Sequence, residues 1–196
     1  MEFDLEDEVK DLVEGKQIDK AIELAENELR KISITDFHKV LSRDFLHLTN
    51  ELIEFISYFY EKAKKQIKVN ALYSEMNGFT INYDLWFIQL FAFESCGGLD
   101  DTDWLADYEF TLDNEAMVLQ GFEDIQAVYE DYMKNEKWTD KNLERAMEIC
   151  EIIIVLRLQE LFKKSIELAR QKNLEWCKIP VFATAHDNQI LYSSLL

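Results

Sequence analysis

Val69-Asn-Ala-Leu-Tyr-Ser-Glu75 and Leu85-Trp-Phe-Ile-Gln-Leu-Phe-Ala-Phe93 are the runs that decide the fold. The first reads as a strand, and Asn77-Gly78 just beyond it is a strong turn signal. Phe79 to Tyr83 alternates apolar and polar residues, which predicts a second strand. The second run is apolar on both faces and carries four aromatics in nine residues. That composition predicts a central strand covered on each side rather than a buried helix.

These runs open a longer stretch, Val69 to Met133, that contains no Lys, Arg or His and carries 14 carboxylates. Outside it, 25 acidic side chains face 21 basic ones, so the stretch supplies most of the net charge of −18. It also holds 13 of the 25 aromatic residues, a composition that buries surface and excludes a disordered acidic tail. A folded β-rich core with a one-signed acidic face follows.

Gly97-Gly98 breaks the pattern after Phe93, and a fourth strand is expected within Trp104 to Leu112. Gly121 precedes an amphipathic helix marked by Phe122, Ile125, Val128, Tyr129 and Tyr132. Thr139-Asp140 can cap a long helix over about Lys141 to Lys172, whose middle, Ile149 to Leu158, is apolar almost all round and should cross the interior. Ile179 to Ala185 reads as a last strand, with Pro180 putting it at an edge or at a strand start.

On the N-terminal side, residues 4–32 read as two helices joined at Gly15, a hairpin separable from the main body. Ser33-Ile-Thr-Asp36 resembles a capping box, and Phe37, Leu41, Phe45, Leu48, Leu52, Phe55, Phe59 and Ala63 recur at steps of three and four. That stripe predicts one helix spanning residues 36–68. The expected fold is therefore α+β: a small, mainly antiparallel sheet from residues 69–113 and 179–192, packed by two long helices, with an N-terminal helical hairpin. One domain over residues 1–196 suffices for this length.

The charge argues against nucleic acid and anionic lipid as partners, because both repel carboxylates. The N-terminus lacks a basic region and an apolar run, and no helical segment is apolar for long enough to span a bilayer. Three cysteines, Cys96, Cys150 and Cys177, lie far apart without metal-ligand spacing, which suits buried thiols in a reducing cytoplasm. No cofactor motif occurs.

Several constellations carry residue types used in catalysis or metal binding. Asp44, His47, Glu51 and Glu54 have helical spacing, but they fall away from the apolar stripe and so face water. Asp101-x-Asp103 could open a calcium loop, yet Leu105, Ala106 and Leu112 stand where that loop needs ligands and a glycine. Cys96 precedes His186 and Asp187 or Asn188 in a hydrolase-like order, but nearby carboxylates would raise its thiol pKa. Arg157 falls on the apolar stripe of the last helix, where a charge requires a partner, and a carboxylate from 69–133 is the expected one.

The partner-binding surface is expected at Asp100, Asp101, Asp103, Trp104, Asp107, Tyr108 and Glu109, where aromatics interleave with one-signed charge. The function expected from this is an acidic protein-protein binding module for a basic protein, such as an inhibitor or immunity-type protein that neutralises a basic toxin or nuclease. The alternative is an enzyme acting on a cationic or metal-bound small substrate through clustered carboxylates.

Overall fold

Asp140 starts the longest element. Its Oδ1 accepts the amides of Asn142 (2.9 Å) and Leu143 (3.3 Å), satisfying two donors that a helix start leaves open. The helix α5 then runs Lys141–Gln171 in a computed structural model that describes residues 5–98 and 102–194. Ile152 through Leu156 are buried without interruption, so the middle of α5 does cross the interior. The other helices are α1 (Leu5–Glu14), α2 (Ile18–Lys31), α3 (Thr49–Ala63) and α4 (Glu123–Lys134).

The strands are β1 (Ala71–Met76), β2 (Phe87–Phe93), β3 (Phe110–Thr111), β4 (Met117–Val118), β5 (Val181–Ala185) and β6 (Tyr192–Ser193). They form one mixed sheet in the order β3-β2-β1-β5-β6, with β4 also pairing β2. β1 and β2 are antiparallel, from Ala71 opposite Phe93 to Met76 opposite Ile88. β1 and β5 are parallel, from Leu72 opposite Val181 to Met76 opposite Ala185. The remaining pairings are antiparallel. The fold is α+β with a helical N-terminal region, as the sequence predicts.

Three expectations need correction. The stripe from Phe37 to Ala63 is not one helix. It is a 3-10 turn at Asp36–Val40, another at Leu46–Leu48, and then α3. Phe37, Phe45 and Leu48 are all buried, so short turns present the same spacing of core residues as a helix would. Phe79 to Tyr83 is not a strand either. Asn77 holds the Leu85 carbonyl and the Phe87 amide with its side chain (2.8 Å each), closing a ten-residue loop over 77–86. Phe79 plugs inward against Trp86 and Tyr129, while Ile81 is exposed. Last, β2 is not covered equally on both faces: Ile88, Leu90 and Ala92 are buried, whereas Phe87, Gln89 and Phe91 are half-buried.

The inner face of the sheet, with Leu72, Met76, Ile88, Leu90, Val181 and Ala183, lies in one cluster with α5 and the other helices. The N-terminal hairpin is not the separable element the sequence suggests, because Leu5, Val9, Val13, Ile18, Ala21, Ile22, Ala25 and Leu29 belong to that same cluster. The outer face carries a second, smaller cluster of Ala71, Tyr73, Phe93 and Phe182. Among the described residues, no helix is long and apolar enough to cross a membrane.

Candidate functional site: a groove on the outer face of the sheet

A strand sends alternate side chains to opposite faces, so Tyr73 and Glu75 of β1 and Gln89 and Phe91 of β2 share the outer face. Only part of that face is covered. Trp104 lies over one end, edge-on to Phe93 (4.9 Å) and Phe182 (5.4 Å), with its indole Nε1 donating to the Gly98 carbonyl (3.0 Å). Gly97 makes this approach possible, because a Cβ there would overlap the Trp104 ring. The end of the face that carries Glu75 stays open.

Among the described residues, three neighbouring depressions of about 470, 660 and 470 Å³ meet on this face. All three are bordered by Tyr73, Glu75 and Leu105. Other carboxylates on their margins are Glu14, Asp103, Asp113 and Asp187, while Lys10 is the cationic side chain lining them. The aromatic floor is Tyr73 stacked on its cross-strand neighbour Phe91 (5.8 Å, 28°), with Tyr108 tilted onto Phe91 at 4.8 Å.

A chain of polar contacts runs through the centre. The Tyr73 hydroxyl donates to Glu75 Oε2 (2.8 Å), and Glu75 Oε1 meets His186 Nδ1 at 3.0 Å. His186 Nε2 lies 3.4 Å from Asp187 Oδ2. Burial, reinforced by the adjacent Glu75 charge, pushes the Tyr73 phenol far above its ordinary range, so it stays a donor. The ladder positions His186: its amide donates to the Met76 carbonyl (2.8 Å), continuing the parallel β1–β5 pairing one residue past β5.

The residues expected to bind a partner are distributed as follows. Asp100 and Asp101 lie outside the described residues. Asp103 begins the 3-10 turn Asp103–Ala106 at the margin of the groove. Trp104 is turned onto the sheet and half-buried, so it serves packing within the chain. Asp107 is exposed, and Tyr108 is 45 % exposed on the floor's edge. Glu109 is exposed but tied, its Oε2 accepting the Glu94 amide (3.0 Å). The surface is thus centred on Tyr73 and Glu75, with 103–108 forming one wall.

Arg157 lies elsewhere, on the helical side, and its partner is not in 69–133. It donates to Glu26 Oε1 of α2 (2.8 Å) and to Glu160 Oε2 one turn along α5 (2.9 Å), with its side chain 13 % exposed. α2 packs along α5, which brings Glu26 to Arg157. Burial works to raise the Glu26 pKa, but the Ser42 amide, Arg30 and Arg157 outweigh it and hold the carboxyl below its ordinary value.

Cys96 is exposed and donates to its neighbour's carbonyl at Gly97, and desolvation raises its thiol pKa. Asp44 and His47 precede α3, with Asp44 accepting the Leu46 amide, so they do not share a helix with Glu51 and Glu54. Among the described residues, no group of three or more His, Cys, Asp or Glu side chains is arranged to hold a metal ion.

Sequence reasoning missed Glu75 and His186 as a pair. Tyr73-x-Glu75 within a predicted strand did signal two polar groups on one face. The parallel register that delivers His186 to them has no local signature. No protein-family model, curated protein or solved structure matches this chain.

Proposed function

We propose that the chain is an acidic protein-binding module whose outer-sheet groove receives a basic protein partner, as an inhibitor or immunity-type protein of the cytoplasm would. The observation that carries this reading is the groove itself. Glu14, Glu75, Asp103, Asp113 and Asp187 surround an aromatic floor with Lys10 as the lining cation. An aromatic floor supplies contact area at low entropic cost, and one-signed charge around it steers an oppositely charged partner. The unpaired cysteines, with Cys150 and Cys177 buried, are consistent with a reducing compartment.

The test is stopped-flow binding of a capped (Arg-Val)₄ peptide across a salt series. The association rate should fall steeply between low salt, where the Debye length is ~30 Å, and ~0.15 M, where it is ~8 Å. A capped (Glu-Val)₄ peptide should not bind. An association rate indifferent to salt would refute the reading.

The Tyr73–Glu75–His186 chain supports a second reading, an enzyme on a cationic small substrate with Glu75 or His186 as acid–base group. Turnover of such a substrate that is lost in Glu75→Gln would favour it.

A further inference from the structure

We propose that Glu75 is the anchor for an arginine side chain of the basic partner, and that His186 is the internal occupant which that arginine displaces. This rests on the binding reading above and deepens it.

Glu75 is the carboxylate that borders all three depressions, so a cation entering from any of them reaches it. Its two oxygens are unequal. Oε2 is fixed by the Tyr73 hydroxyl, which orients the group, whereas Oε1 is taken by His186. The Tyr73 contact is part-buried, but the His186 side chain is 52 % exposed. Exposed pairs of this kind contribute little, so the His186 contact is the exchangeable one.

The floor selects among cations. Half-buried Phe91 and 45 % exposed Tyr108 line one depression with Glu75, above the buried Tyr73, and a planar guanidinium stacks on aromatic faces while donating to a carboxylate. A lysine ammonium has no plane to match the floor.

The groups around His186 fix the direction of the pH effect. From β1 it faces Glu75 and, behind it, Tyr73; in its own turn it faces Asp187; from the 103–106 turn Asp103 borders the same depression. Across the adjoining depression α1 contributes Lys10 and Glu14. Carboxylates predominate, so a protonated imidazole is held at Glu75 more firmly than a neutral one. Arginine stays charged throughout. A protonated imidazole and arginine therefore compete for Glu75 Oε1, so partner affinity rises as pH rises.

The experiment measures the affinity of capped (Arg-Val)₄ for wild type, His186→Gln and Glu75→Gln from pH 5.5 to 7.5 at fixed ionic strength. Circular dichroism melts confirm that each variant is folded. Wild-type affinity should rise by about fivefold or more across this range, a usual size for coupled binding. His186→Gln should lose that slope and bind at least as tightly as wild type at pH 5.5. Glu75→Gln should bind weakly at every pH, and (Lys-Val)₄ should bind less tightly than (Arg-Val)₄. The chain also holds His38 and His47, and comparison of wild type with His186→Gln isolates the contribution of His186. In NMR, the His186 Hε1 resonance should move on peptide addition toward its position in Glu75→Gln.

Binding with the wild-type pH slope in His186→Gln, or undiminished in Glu75→Gln, would overturn this inference while leaving the binding reading intact. Absence of binding by wild type and His186→Gln at low salt and every pH would overturn both.

Discussion

Replacing Arg157 with Met should destabilise the protein by removing the cation from a largely buried acidic site. Arg157 and Glu26 have side chains only 13 % and 9 % exposed, and they meet at 2.8 Å across 131 residues of sequence. Breaking a buried pair from one side costs ~3–5 kcal/mol when the remaining charge is left alone. Glu26 is not left alone, because Arg30 (2.7 Å) and the Ser42 amide (3.0 Å) still reach it. Glu160 is 20 % exposed and can turn to water. The expected cost is therefore about 2–4 kcal/mol, at the lower end of that class.

In a chain of this length each kcal/mol moves Tm by ~2–4 °C, so the melt should fall by roughly 4–16 °C. The double variant Glu26→Gln/Arg157→Met should recover part of the loss, since it removes the stranded carboxylate. The pH dependence has a fixed sign. Glu26 has a folded pKa below its ordinary value, so its contribution is present above ~4.3 and fades as pH falls through the lower folded value. Glu26→Gln should flatten acid unfolding in that window. A shift below ~2 °C for Arg157→Met, with additive behaviour in the double variant, would show that the pair does not tie α2 to α5.

Burial raises the Glu151 pKa to about 7, with Glu148 adding to the effect. That group favours folding below its ordinary pKa and loses the contribution as pH rises to about 7. Glu151→Gln should therefore unfold in denaturant with a weaker decline between pH 5 and 8, the difference being on the order of 2 kcal/mol. Removing residues 5–31 should abolish cooperative melting, because eight of the hairpin's apolar side chains and Glu26 are buried against the rest. Asp140→Ala, by removing the two amide contacts at the start of α5, should cost ~1 kcal/mol in denaturant unfolding.

The elements legible in the sequence are those whose signals are local. Asp140 and the apolar middle of α5 announce the long helix within a residue of its end, Phe87–Phe93 falls inside its predicted strand run, and Ala71–Met76 passes the end of its run, Val69–Glu75, by one residue. Spacing misled at Phe37 to Leu48, because two 3-10 turns bury the same residues that a helix would. At Asn77-Gly78 a strong turn dipeptide opened a long loop rather than a tight hairpin, because the Asn77 side chain itself bridges the loop. Gly15 ends α1 as its position suggests, and the left-handed residue of that turn is Lys16 (φ 60°). The acidic, aromatic wall at 103–109 was visible as composition. Its centre was not, because Glu75 and His186 are 111 residues apart and meet only through the parallel β1–β5 pairing.

The most direct test of the central claim is a ¹H–¹⁵N correlation titration with capped (Arg-Val)₄ at low salt. The perturbed amides should cluster on the outer sheet face, at Tyr73, Glu75, Phe91, Leu105, Tyr108, His186 and Asp187, and the shifts should diminish with salt. Shifts concentrated on the helical side around Glu26 and Arg157, or none at all, would contradict it.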